Sequence, residues 1–227
     1  FRSDRPFNAS DERIFTGREQ EVRELLRALE RFATRRTSRT SWANRTNRTN
    51  QASKTSAANL LLLTGPSGCG KTSLLRAGVL PRLTRPFQFD GIAAVWVCLV
   101  APTEDSVDPL AALAEALCAQ ASLGPLLASF GLRAPALRRL LHKDPELATQ
   151  QIASAMAQRA PGTASRDDHR LLLLLDPLDS MLERASDEQL RYLAEALQAL
   201  ALAPPIWIIA LLRSDAVPAL ARLPALH

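Results

Sequence analysis

No stretch of the chain approaches the ~18 consecutive apolar residues that a membrane-crossing helix needs. The longest candidate, from Ala199 to Leu212, is interrupted by Pro204-Pro205, so no span is expected in this segment. Cysteine is scarce as well. Cys69, Cys98 and Cys118 have neither an even count nor a metal-ligand spacing, which argues against a disulfide framework and a zinc site and makes a reducing, cytoplasmic setting the expectation. Cys98 and Cys118 lie in apolar stretches and are expected in the core. His142, His169 and His227 form no triad and no metal spacing, so they are expected at the surface. Acidic residues are missing altogether from Arg31 to Phe89, in a chain whose net charge is +5. A nucleic-acid face is one reading of that gap. The preferred one is a solvated insert plus cations that help an anionic nucleotide.

What is present suits one globular domain with a sizeable core: 47% of the residues are apolar and 22% charged. The start at Phe1 leads us to expect a segment of a longer protein. The chain is organised around Leu60 to Leu80. Four leucines lead into Gly65-Pro66-Ser67-Gly68-Cys69-Gly70-Lys71-Thr72, and an amphipathic helix follows. This is strand, glycine loop and helix with the G-x-x-x-x-G-K-[ST] spacing of a P-loop. Backbone N–H groups in such a loop turn inward and cradle phosphate oxygens, and the helix adds its positive dipole end. Lys71 would reach the β- and γ-phosphates, and the Thr72 hydroxyl would take a position on Mg²⁺. Cys69, inside the loop, is structural or else a redox control point.

Elsewhere strands and helices alternate. Thr16-Gly17-Arg18-Glu19 has the capping-box pattern, followed by Val22, Leu25, Leu26, Leu29 and Phe32 on one helical stripe. Residues 33–58 are rich in Arg, Thr, Ser and Asn and cannot bury enough surface to order themselves, so a disordered basic insert is expected there. Pro81 and Pro86 mark a helix stop. Ile92 to Val100 reads as a buried strand. Asp108-Pro109 and Asp144-Pro145 are helix starts, with Pro135 to His142 a further helix between them. Pro161 to Arg170 reads as a polar loop. Leu171 to Leu175 ends in Asp176, and the P-loop argues for a strand there. Ser186 and Gln189 form a second capping box, Pro204-Pro205 ends its helix, and Ile206 to Leu212 is the fourth strand, closed by Arg213. A short helix closes the chain near Leu223.

Nearly all-apolar strands alternating with helices imply an α/β fold with a mostly parallel sheet covered on both faces, whose ligand lies at the strands' carboxyl ends. Thr64-Gly65, Asp176 and Arg213 all fall at such ends. Asp176 is the candidate Walker B acid for Mg²⁺. Asp179 is either a water-orienting base or a helix N-cap. Arg213 would sense the γ-phosphate, its alternative being a surface ion pair.

The order of motifs resembles a family. Arg5-Pro6-Phe7, Phe15-Thr16-Gly17-Arg18-Glu19, GPSGCGKTSLLRAGVLPRL, Asp108-Pro109-Leu110, LLLLLDPLDSML and IIALLRSD look like the STAND NTPases, most closely the novel STAND group of bacterial multidomain signalling proteins. The resemblance implies a P-loop NTPase three-layer sandwich of the ASCE/STAND type, related to NACHT and NB-ARC modules. It implies a switch between ADP-bound resting and ATP-bound active states, coupled to other domains of the same chain and open to homo-oligomerisation on activation. By position, Gly17 and Arg18 would help form the adenine pocket, Gly65 to Thr72 the phosphate site, Thr72 and Asp176 the Mg²⁺ site, and Arg213 the sensor. The chain then divides into 1–32 on the adenine side, the insert 33–58, and a core 59–227. Where the family tends to read D-Q-F-E-E, this chain has Asp176-Pro177-Leu178-Asp179-Ser180, so hydrolysis is expected to be slow. The preference for adenine rests on the resemblance, since no guanine-reading N-K-x-D is present.

Two rival functions stand beside this regulatory ATPase. One is a DNA-associated ATPase of the initiator type, disfavoured by Pro177 and Arg213, which makes nucleic acid an unexpected partner. The other is a nucleotide-binding scaffold without catalysis. A small-molecule kinase is less expected, because no acceptor-site motif is visible.

Overall fold

The computed structural model describes residues 6–34, 59–86, 88–101, 108–158 and 169–223. Four strands, β1 (Leu60–Gly65), β2 (Ala94–Val100), β3 (His169–Leu175) and β4 (Ile206–Arg213), pair in parallel in the order β1-β4-β3-β2. The central pair β3 and β4 is buried almost throughout, whereas β1, at an edge, alternates between half-buried and exposed residues. Strand side chains point alternately to opposite faces, so the leucine and isoleucine runs divide between two cores. Leu171, Leu173, Leu175, Ile206 and Ile208 enter one; Leu172, Leu174, Trp207, Ile209 and Leu211 enter the other.

The first core is completed by α3 (Pro109–Leu117), α4 (Gly124–Ser129), α5 (Ala134–Lys143), α6 (Pro145–Gln158), α7 (Leu178–Arg184) and α8 (Asp187–Leu202). The second is completed by α1 (Glu19–Thr34) and by a helix, α2, that runs through Lys71–Ser73, Leu74–Val79 and Leu80–Leu83. The result is a mixed α/β fold with a four-stranded all-parallel sheet, compatible with a P-loop NTPase-like fold. Short 3₁₀ helices occupy Ala9–Asp11 and Ser214–Arg222.

Most helix starts follow from local chemistry. Asp108 Oδ1 accepts from the N–H groups of Leu110 and Ala111 at 2.9 and 3.3 Å. Asp144 Oδ1 accepts from Leu147 N at 2.9 Å. Ser186 and Gln189 exchange both hydrogen bonds of a capping box. Where the core chain resumes, Asn59 is buried and its amide donates to the carbonyls of Ala203 and Ile206, which pins β1 beside β4.

Several expectations are corrected. Thr16 is not the N-cap of α1, because the helix begins at Glu19; Gly17 (φ 86°) turns the chain and its N–H donates to Glu19 Oε1 at 3.0 Å. Pro81 does not stop α2. Leu74–Val79 is a π-helical stretch in which Leu80 N reaches back to Leu75 O, and this wider turn takes up the missing donor of the proline. β2 starts at Ala94, with Ile92 in an isolated bridge to Phe89. β3 starts at His169, inside the expected loop, because Ala94 extends the register on its partner strand. His169 is therefore not a surface residue: it is buried and stacked on Trp96 at 5.0 Å. The short helix α4, with Leu123 and Leu127 buried around it, was not expected. Cys98 is core, and burial pushes its thiol up to about 11; Cys118 is half-buried and its thiol is raised for the same reason. The first helix reaches Thr34; residues 35–58, the bulk of the expected insert, and His227 lie outside the described residues.

Candidate functional site

The sheet order decides which strand ends meet. β4 stands between β1 and β3, with Gly65 opposite Arg213 and Leu175 opposite Ala210. The loop after β1, Asp176 after β3, and Arg213 at the end of β4 therefore open on one edge of the sheet.

In the glycine loop, Pro66, Ser67 and Gly68 are exposed, while Gly65, Cys69, Gly70, Lys71 and Thr72 are half-buried. Gly68 (φ 73°) and Gly70 (φ 83°) take left-handed backbone that an L side chain resists, and Gly70 hands the chain into α2 at Lys71. The first N–H groups of α2 have no intrahelical acceptors. Lys71 Nζ lies across the loop, donating to Gly65 O at 2.8 Å and Pro66 O at 2.9 Å. A Cβ on Gly65 would sit only 2.9 Å from Cys69 Sγ, so a larger residue there would have to turn the Cys69 side chain aside.

Asp176 ties the loop helix to the sheet. It is 6% exposed. The Thr72 hydroxyl donates to its Oδ1 at 3.0 Å, and Arg76 Nη2 donates to its Oδ2 at 2.9 Å. Both carboxylate oxygens thus have a charged or polar partner from α2.

Asp179 is not a helix N-cap. It lies in the first turn of α7, whose N-cap is Pro177. It is buried, with Oδ2 3.2 Å from Arg213 Nε and Oδ1 without a hydrogen-bond partner. Arg213 is held by three carboxylates, since it also reaches Glu183 Oε1 at 2.7 Å and Asp215 Oδ1 at 3.5 Å.

The N-terminal segment lies against the same loop helix. Phe7 N donates to Ser73 Oγ at 3.1 Å, and Phe7 and Phe15 meet edge to face at 5.9 Å. Arg18 Nη1 is 4.0 Å from where a Cβ on Gly70 would be, so the Gly17-Arg18 turn stands beside the loop. Arg18 also pairs loosely with Glu21 at 3.7 Å. The backbone amides of Glu19 itself and of Gly17 hold the Glu19 carboxyl below the usual carboxylate range.

Sequence reasoning missed Arg76, Glu183 and Asp215. Arg76 was detectable: four residues after Thr72 on a helix, it shares that hydroxyl's face and must point the same way. Glu183 comes to Arg213 from α7, and no local pattern connects the two, whereas Asp215 lies only two residues on, in the terminal 3₁₀ helix.

The residues present fit a nucleotide and its Mg²⁺. The loop turns on two left-handed glycines, the lysine bridges it, and the Thr72 hydroxyl adjoins the buried Asp176 carboxylate. Among the described residues no group of three or more His, Cys, Asp or Glu side chains could hold a metal ion by itself, and no helix is long and apolar enough to cross a membrane.

Together the parallel sheet and the glycine loop at its carboxyl edge define a nucleotide-binding α/β module of the P-loop kind. Over residues 1–227 the chain matches the family model described as Novel STAND NTPase 1, and it belongs to that family. No curated protein and no solved structure matches it.

Proposed function

We propose that this chain is the nucleotide-binding regulatory module of a multidomain signalling protein, taking Mg-ATP or ADP and changing arrangement with nucleotide state. The observation that carries the reading is the Thr72–Asp176 hydrogen bond of 3.0 Å, which joins the end of the glycine loop to the acidic strand tip. That is the pairing a Mg²⁺-nucleotide site needs. Gly65 to Thr72 hold the phosphates, Thr72 and Asp176 hold Mg²⁺, and Gly17 and Arg18 line the adenine side. Mg²⁺, when bound, neutralises charge on the phosphates. Asp179 orients or deprotonates the attacking water, and Arg213 faces the γ-phosphate. The position of β4 between β1 and β3, with apolar cores on both faces, supports the three-layer ASCE/STAND reading. Partners are the other domains of the same chain and further copies of it on activation, in the cytoplasm.

Nucleotide-dependent stabilisation tests this. A ligand at one hundred times its Kd stabilises a fold by about 2.7 kcal/mol, which for a domain of this size raises Tm by roughly 5–10 °C. Mg-ADP should produce that shift in the wild-type chain and none in Lys71→Ala. An equal shift in both would remove the glycine loop from the site.

The non-hydrolysing scaffold remains the second reading, and one observation favours it. Arg213 is engaged by Asp179, Glu183 and Asp215, so a sensor role requires those contacts to open.

A further inference from the structure

We infer that Arg76 sets the metal dependence of the nucleotide site by competing with the divalent cation for Asp176. The inference rests on the proposed nucleotide reading and adds a residue to it. Asp176 is buried, and its two oxygens are taken by different groups from one helix face: Oδ1 by the Thr72 hydroxyl, Oδ2 by Arg76 Nη2 at 2.9 Å. The Arg76 side chain is 31% exposed and its Nε is buried without a hydrogen-bond partner. Asp176 is the carboxylate that Arg76 is paired with among the described residues.

The two contacts have opposite consequences for a cation. A hydroxyl beside a carboxylate can turn its lone pairs toward a metal, so Thr72 is a co-ligand. A guanidinium has donors and no acceptor, and it keeps its charge at all accessible pH. It neutralises Asp176 in the absence of a metal and repels a divalent ion brought to the same oxygens. A buried carboxylate deprived of Arg76 would be an uncompensated charge whose best remaining partner is the cation. Arg76 is thus a positioning residue. It satisfies Asp176 in the metal-free fold and makes the site give up Mg²⁺ more readily than the acid alone would.

The test is the affinity of a fluorescent ADP analogue for the full chain, titrated with MgCl₂ and repeated in excess EDTA. Arg76→Gln should lower the Mg²⁺ concentration for half-maximal tightening by about tenfold, the scale of coupling between groups in direct contact. Affinity in EDTA should stay within about twofold, because Arg76 acts on the metal ligand and not on the phosphates. Arg76→Lys, which keeps the charge and loses the planar fork, should shift the midpoint in the same direction by less; it carries the test if the Gln variant does not fold. In an Asp176→Asn background, Arg76→Gln should leave the Mg²⁺ midpoint where it was. An unchanged or higher midpoint in Arg76→Gln, or in Arg76→Lys if that is the variant measured, overturns the inference and leaves the nucleotide reading standing. A wild-type chain that binds no nucleotide in either condition removes both.

Discussion

Asp179 is an expensive residue for this position. A carboxylate that is 6% exposed with one oxygen unpartnered gives up roughly 1–3 kcal/mol of hydrogen-bond energy relative to a satisfied one. Its cationic partner, Arg213, is also paired with Glu183 and Asp215. The ion pair with Arg213 accounts for one carboxylate oxygen and leaves the other without a partner, the one that the proposed role toward a water would use. Asp179→Asn is nearly isosteric and leaves Arg213 two carboxylates. If Asp179 is the base, this variant should retain nucleotide affinity and lose about 10²–10⁴-fold of ATP turnover, measured as phosphate release against protein-free background. Turnover at background in both the wild-type and the variant chains would instead establish the scaffold reading. His169 teaches the opposite lesson at the same scale. Its sequence surroundings are polar, yet Trp96 of the neighbouring strand covers it, and a contact across a sheet leaves no trace in either strand alone.

Elements were legible to the extent that their signals are local. The starts at Asp108, Asp144 and Ser186 were readable because a side-chain oxygen meets N–H groups two or three residues on. Strand identity for the five leucines was not decided by periodicity and followed from the P-loop; the alternation between two cores then explains why the run is uninterrupted. The π-helical stretch was unreadable as such, since Pro81 signals a helix stop as readily as a wider turn, and it packs against α1. Gly78 marks that contact: a Cβ there would lie 2.7 Å from Val22 Cγ2 and 3.0 Å from Phe15 Cε1. Val22 is β-branched and stiff, and Phe15 is fixed against Phe7. Gly78→Leu should accordingly destabilise the fold by about 1–3 kcal/mol, the cost of overpacking, as read from the urea midpoint at unchanged slope. Because Phe15 leads directly into the Gly17-Arg18 turn, the same variant should weaken ADP binding when assayed well below its unfolding transition. Loss of stability with full affinity would mean that the turn takes no part in the site.

At the scale of the whole molecule, charge separates the regulatory reading from the DNA-associated one. The net charge is +5, and residues 33–58 contain five arginines, one lysine and no acid. Taking those six positive charges away leaves −1, so the rest of the chain has no excess of cations with which to track a phosphate backbone. Four of its arginines are moreover paired with carboxylates: Arg76 with Asp176, Arg138 with Asp108, Arg213 with Asp179 and Glu183, Arg222 with Asp187. Counterion release makes any affinity that the six charges confer steeply salt-dependent and indifferent to sequence. Replacing residues 35–58 by an uncharged Gly/Ser linker of equal length removes all six. The expected outcome is that residual DNA binding at low salt, measured by fluorescence anisotropy, disappears, while the Mg-ADP stabilisation is unchanged. DNA binding that survives the replacement, with a log–log salt slope of several units, would locate a nucleic-acid surface on the α/β core and return the initiator-type ATPase to first place. Nucleotide stabilisation lost with the linker would show that the basic segment completes the nucleotide site.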